Sequence, residues 1–101
     1  MAPELEKSPS ILAVLALLER ELGPGALRIV DHWDADLCAI GVTGADPARR
    51  VYLSTWNRDA GRFFYDCETD TADGDLPFVV VDHGEDVDFA ALLAAVRRHV
   101  G

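Results

Sequence analysis

The residues best suited to chemistry stand between Asp31 and Asp36, where a histidine and three aspartates share six positions. His32, Asp34 and Asp36 could bind a metal ion or move a proton, because imidazole and carboxylate groups commonly serve in both roles. The same residue types are also typical of a hairpin turn in which Asp34 hydrogen-bonds its own backbone. We favour the turn and therefore predict no metal site here.

A second acidic segment places Asp70, Asp73 and Asp75 around Gly74. Calcium loops also group several carboxylates around a sharp glycine turn. The spacing fails, because aligning Gly74 with the loop glycine puts Val80 where a bidentate glutamate belongs. We interpret this segment as a solvated acidic loop.

Nucleophilic and phosphate-binding sites have no support in the sequence. Ser54, Cys38 and Cys67 all fall within predicted strands, without a glycine-flanked elbow or a histidine placed by motif. The glycines near Pro24 are not followed by a lysine, which a phosphate-binding loop requires. We expect no catalytic residues and no cofactor.

The elements that position these residues follow from apolar spacing. A first helix is predicted over 9–22, with Ser8 as its cap and Gly23 ending it. Short runs rich in β-branched and aromatic residues then predict strands, which are expected at about 27–33, 36–43, 50–56, 62–68 and 77–82. A second helix follows Gly84, with Asp86 as its predicted cap.

This order, α-β-β-β-β-β-α, predicts a single α+β domain over 1–101, with residues 1–8 flexible. The strands should form an antiparallel meander with both helices packed on one face. The predicted strand 36–43 is apolar on both sides, so its second face must be covered by helices or by a second subunit. A homodimer is therefore one of the two arrangements that the sequence allows.

The charge composition of the chain limits the kinds of molecule that it can bind. The 101 residues carry 18 acids and 9 bases, for a formal charge of −9, which repels nucleic acids and anionic membranes and attracts basic proteins. The acidic start of the chain does not fit a secretory signal, and the two cysteines do not suggest a disulfide framework. We expect a cytoplasmic protein that binds another protein.

The acids are unevenly distributed along the chain. No basic residue lies between Arg62 and Arg97, and this interval holds half of the 18 acids. If the meander forms, these acids and those of the first hairpin could border one surface that also carries both tryptophans. The predicted partner-binding residues are Trp33, Asp34, Asp36, Trp56, Asp66, Glu68, Asp70, Asp73 and Asp75. An equally weighted alternative places the tryptophans in the core and leaves the acids merely solvated.

In size, charge and element order, and in the segments from Asp31 to Cys38 and from Val51 to Trp56, the chain resembles the small acidic immunity proteins that bacteria pair with polymorphic or contact-dependent toxins. The resemblance is to the class, without a diagnostic motif. It implies a stoichiometric inhibitor that covers a toxin's active site, often a basic nuclease surface, and mimics its polyanionic substrate.

Two other classes are weighed beside this one. The acidic dimeric chaperones of type III secretion have a similar size and charge, but they usually insert another helix between strands, and the segment from Leu27 to His83 leaves no room for one. The third class is a small enzyme with a carboxylate and histidine site at the first hairpin.

Overall fold

A computed structural model describes residues 7–30, 37–71 and 77–100 of the chain. The elements, in chain order, are α1 (Pro9–Leu22), β1 (Arg28–Val30), β2 (Ala39–Thr43), β3 (Arg49–Ser54), β4 (Phe63–Asp70), β5 (Phe78–Val87) and α2 (Phe89–His99). The five strands form one antiparallel sheet in the order β1-β2-β3-β4-β5. The predicted α+β meander flanked by two helices is therefore confirmed.

Helix α1 begins and ends where the sequence indicates. At its carboxyl end, Gly23 has a φ of 102° and its N–H donates to the Glu19 carbonyl at 2.8 Å, which satisfies one of the last carbonyls of the helix. At its amino end, Ser8 takes the cap position, but its hydroxyl lies 2.9 Å from the Ser10 hydroxyl rather than capping a helix N–H. Backbone geometry rather than a side-chain bond therefore marks the start.

The hydrophobic core lies between the two helices and one face of the sheet. Alternate residues of β2, β3 and β4 point to this face, as strand geometry requires. The core residues are Ile11, Val14 and Leu18 of α1, Ile40, Val42, Val51, Leu53, Phe63, Tyr65 and Cys67 of the sheet, and Leu92, Ala95 and Val96 of α2. Both helices thus share one face, which leaves the second face of the sheet without a helix.

Strand β2 is nevertheless buried on both sides within a single chain. On the face without helices, the register places Gly41 beside Tyr52 and Thr43 beside Arg50, so each small residue lies next to a long side chain. Its burial therefore does not depend on a second subunit.

Strand β5 is longer than predicted and changes the start of α2. We expected the strand to end near residue 82 and Asp86 to cap the helix, but β5 continues to Val87 and Asp88 is the cap. The Asp88 carboxylate accepts a hydrogen bond from the Ala91 N–H at 2.9 Å. The polar run after Val81 stays in the sheet because β5 is an edge strand, where polar side chains reach water.

The strand order gives the sheet two distinct ends. At the first, which we call the Trp56 end, Ser54 lies between Ala39 and Phe64 in the register. At the second, the Arg50 end, β4 and β5 pair through Asp70 and Phe78. Since the eight residues of β4 cover about 24 Å of extended chain, groups at the two ends are far apart.

Candidate interaction surface

Only some of the predicted partner-binding residues fall in the described part of the chain. His32 and five of those nine residues lie outside it, namely Trp33, Asp34, Asp36, Asp73 and Asp75. The structure places the other four in three different environments: Trp56 at one end of the sheet, Asp66 on the face without helices, and Glu68 and Asp70 at the other end.

Trp56 follows β3 on a loop that is fixed to the sheet. The Thr55 N–H donates to the Cys38 carbonyl at 2.9 Å, and the Trp56 N–H donates to the Ser54 hydroxyl at 3.1 Å. The next residue, Asn57, has a φ of 53°, a left-handed conformation that asparagine tolerates well. The indole itself is 68% exposed. A large apolar side chain is thus held in water by an ordered backbone.

Leu37 lies at the same end of the sheet and is 52% exposed. Its carbonyl accepts a hydrogen bond from the Ser8 N–H at 2.9 Å, which ties the start of α1 to this end. A second hydrogen bond joins the hydroxyls of Ser10 and Thr55, which lie 2.7 Å apart. Helix α1, the start of β2 and the Trp56 loop therefore form one connected surface.

Two arginines attach the β3–β4 loop to β5. The Arg58 Nε donates to the Glu85 carbonyl at 2.6 Å, and a terminal nitrogen of Arg62 donates to the Asp86 carbonyl at 2.6 Å. Arg62 also pairs with the Asp86 carboxylate at 3.1 Å. These bonds lie where the ladder between β4 and β5 is irregular, and they satisfy backbone carbonyls that the ladder leaves free.

Two cavities flank this loop, and both Arg58 and Asp59 line each of them. The cavity on the α1 side has a volume of about 300 Å³ and is lined largely by apolar groups, including Val14, Leu17 and Phe63. The cavity on the β5 side has a volume of about 250 Å³ and includes the acidic residues Asp59, Glu85 and Asp86 among its lining residues. An apolar recess and an acidic recess are therefore neighbours at the Trp56 end.

Glu68 and Asp70 belong to a compact cluster at the Arg50 end. The Arg50 guanidinium lies 2.8 Å from the Glu68 carboxylate and 2.7 Å from the Asp70 carboxylate, and 5.1 Å above the Phe78 ring. The side chains of Arg50 and Glu68 are only 12% and 6% exposed. Because its charge is paired with Arg50 and its side chain is buried, Glu68 presents little charge to a partner.

Asp66 lies between these ends on the face without helices, where its register partner on β5 is His83. Partial burial raises the pKa of the Asp66 carboxyl, and the nearby His83 opposes that shift. Beside Asp66 on the sheet, Tyr52 and Phe64 pack edge to face with ring centroids 6.0 Å apart. Asp66 is thus a partly shielded acid within an aromatic surface.

Arginines from outside the base-free interval neutralise part of its charge. Arg50 pairs with Glu68 and Asp70, while Arg98 pairs with Asp82. The antiparallel order also places Asp70 and the Trp56 loop at opposite ends of the sheet. By alternation, Asp66, Glu68 and Asp70 lie on the face of β4 without helices, whereas the other predicted acids lie outside the described residues, so the single acidic surface stays a prediction.

Edge strand β5 exposes three consecutive valines, Val79, Val80 and Val81, the last of them by 58%. The register passes from Cys67–Asp82 to Glu68–Val80, which leaves Val81 without a partner residue on β4. This bulge bends the edge, and bulges at sheet edges discourage pairing with another chain. The valines are a second exposed apolar patch.

Two chemically reactive side chains of the described residues, Cys67 and His99, are buried. Cys67 is buried, and burial raises its pKa to about 11, so its nucleophilic thiolate is scarce at neutral pH. The ring of His99 is also buried, with Nε2 2.7 Å from the Glu68 carbonyl. Over 7–30, 37–71 and 77–100, there is no group of three histidine, cysteine or acidic residues that could hold a metal ion.

A further cavity of about 390 Å³ lies between the ends of the two helices and the β2–β3 turn. Arg49, Arg98 and His99 line it together with apolar residues such as Leu22 and Leu27. Arg98 is already engaged by Asp82, and the carboxylate of Asp46 also lines the cavity, so its positive charge is largely balanced.

Comparison with known proteins identified no related protein. Scans against protein-family models, curated proteins and solved structures found no match to this chain. Within the described residues, neither helix has the length and apolar character needed to cross a bilayer.

Sequence reasoning missed several residues of this surface. Leu37 and Leu17 were treated only as parts of a strand and a helix, and Arg58 only as part of a turn. Alternation along a strand shows which residues share a face, but it does not show that a loop arginine reaches a carbonyl 27 positions away. The turn pattern around Asn57 was the one feature of the sequence that could have pointed to this surface.

Proposed function

We propose that this domain is a protein-binding module that acts in the cytoplasm as an immunity protein, neutralising a cognate toxin by covering its active surface. The observation that supports this most directly is the exposed indole of Trp56 on an ordered loop. Tryptophan is enriched among the residues that dominate binding free energy, because its large rigid surface loses little entropy when it is buried.

The charge of the chain indicates the chemistry of the partner. A net charge of −9 speeds encounter with a basic protein and slows encounter with an acidic one. Near Trp56, the acidic cavity lined by Asp59 and Glu85 offers carboxylates to such a partner. An exposed aromatic anchor next to the loop that lines an acidic cavity supports the capture of a basic toxin by one copy of this domain.

A growth competition tests the proposal in the bacterium that carries the gene. A strain without the gene should grow normally alone but lose to its parent in mixed culture, because the parent delivers a toxin that the deletion strain no longer neutralises. Equal competitive fitness would contradict the immunity proposal. Loss of a secreted effector without loss of fitness would favour the chaperone class instead.

The Trp56→Ala variant links this phenotype to the surface. We expect it to fail to restore fitness, although its free energy of unfolding should change by no more than about 0.5 kcal/mol, because the side chain is exposed. The matched control is Val81→Ala, which also removes an exposed apolar side chain, and it should restore fitness. If Trp56→Ala restored fitness and Val81→Ala did not, the interface would lie on the β5 edge.

A further inference from the structure

The two cavities at the Trp56 end indicate which kinds of side chain a partner protein would insert there. The apolar cavity lies between α1 and the loop, and Ala13, Leu17 and Ala60 contribute to its lining. Its volume of about 300 Å³ is at the small end of the range typical of ligand pockets. It therefore suits one large aliphatic or aromatic side chain better than a cofactor.

The lining of the acidic cavity carries three acids against one arginine, so it has an excess of negative charge. Arg58 lines it, but its Nε donates to the Glu85 backbone carbonyl rather than to a carboxylate. Arg62 pairs with Asp86, whereas Asp59 and Glu85 have no ion pair with any other described residue. The cavity is therefore suited to a lysine or arginine side chain.

The wall between the cavities is ordered before any partner binds. Arg58 and Arg62 bind the carbonyls of β5, and the Thr55 hydroxyl is bonded to Ser10 of α1. The loop thus contacts the sheet on one side and the helix on the other. A surface fixed in this way loses little conformational entropy on binding.

We infer that these two cavities together receive one extended segment of the partner. An apolar side chain of that segment enters the cavity beside α1, and a neighbouring lysine or arginine enters the acidic cavity beside β5. The inference rests on the proposed function and adds the residue chemistry that the domain recognises. A second copy of this chain is a poor occupant, because each copy carries a charge of −9.

Synthetic peptides are the probe that tests the inference. Each peptide carries one leucine and one arginine separated by zero to three glycines, and the controls replace arginine with glutamate or leucine with serine. Titration into the ¹⁵N-labelled chain should shift the amide signals of Ala13, Leu17 and Ala60 together with those of Asp59 and Glu85. Both controls should bind on the order of tenfold more weakly.

Matched variants of the chain test each cavity separately. Ala13→Trp fills the apolar cavity, whereas Ala16→Trp adds the same side chain at an exposed α1 position that does not line it. Glu85→Lys reverses a charge that lines only the acidic cavity, and Glu21→Lys makes the same change in net charge on α1. Only the first member of each pair should weaken peptide binding by about tenfold.

Three results would overturn the inference. The first is no shift with any peptide, and the second is a set of shifts confined to the β5 valines or to the cavity lined by Arg49. The third is equal binding of the glutamate control, or equal losses in the matched variants. The growth competition does not depend on peptides, so protection by the chain despite any of these results would leave the immunity proposal standing and remove only this binding mode.

Discussion

The Arg50 end and the Trp56 end contain the same kinds of residues but use them differently. At the Arg50 end, the guanidinium of Arg50 binds the carboxylates of Glu68 and Asp70, so its one positive charge offsets half of their negative charge within the fold. At the Trp56 end, Arg58 binds a backbone carbonyl, which leaves the carboxylates of Asp59 and Glu85 accessible. The acceptor that an arginine binds therefore decides how much of the charge of nearby acids remains available to a partner.

The largest expected effect comes from breaking the Arg50 cluster. Arg50→Ala removes the partner of Glu68, whose carboxylate stays buried, and should lower the free energy of unfolding by about 3 kcal/mol. Urea denaturation measures this loss. Replacing both Arg50 and Glu68 with methionine should recover most of it, because no unpaired charge then stays buried. A loss below about 1 kcal/mol in the alanine variant would show that water reaches the cluster.

A smaller effect is expected at the Trp56 end. Arg58→Ala removes the hydrogen bond to the Glu85 carbonyl, and should lower the free energy of unfolding by about 1 kcal/mol. Amide hydrogen exchange should accelerate at the end of β5, near Val87, more than at the Arg50 end. The control Arg20→Ala removes an exposed arginine from α1 and should leave exchange in β5 unchanged. Uniform acceleration across the sheet would contradict a local role for Arg58.

The smallest effect concerns Asp66, which lies between the two ends. Burial raises the pKa of its carboxyl in the folded protein, so the folded state favours the protonated form. The stability linked to that proton is present below the unfolded pKa and is lost as pH rises through the raised, folded pKa. Asp66→Asn should therefore be slightly more stable than the native chain at pH 7.

That advantage of the asparagine variant should shrink as pH falls through the raised pKa and vanish below the unfolded pKa. Thermal unfolding of both proteins across this pH range measures the difference between them, and acid effects common to both proteins cancel. A difference that does not change with pH would mean that Asp66 titrates alike in the folded and unfolded states.

Local patterns predicted much of the fold correctly. Ile11, Val14 and Leu18 recur at helical spacing and form the buried stripe of α1, and Phe63, Tyr65 and Cys67 alternate along β4 and form its core face. These patterns succeed because helix and strand periods fix which neighbours in the chain share a face. The predicted end of β5 was wrong. Polar residues from Asp82 onward resemble a loop unless the strand is known to lie at the edge of the sheet.

The candidate site was predicted only in part. Trp56 was named from its residue type, and the structure places it in solvent. The acids of β4 were chosen because they lie in an interval without bases, yet Arg50 is the register partner of Glu68 on β3 and also pairs with Asp70. A gap in basic residues along the chain says nothing about the strand beside it.

By itself, the sequence determined the order of helices and strands, the core-facing side chains and the strong negative charge, because these depend on residue type and local spacing. Only the tertiary structure decided which acids are paired, where the cavities form and that Trp56 and the Arg50 cluster lie at opposite ends. The physical reason is that ion pairs and cavities depend on distances across the sheet. Those distances are set by strand order and register, which bring together residues far apart in the chain.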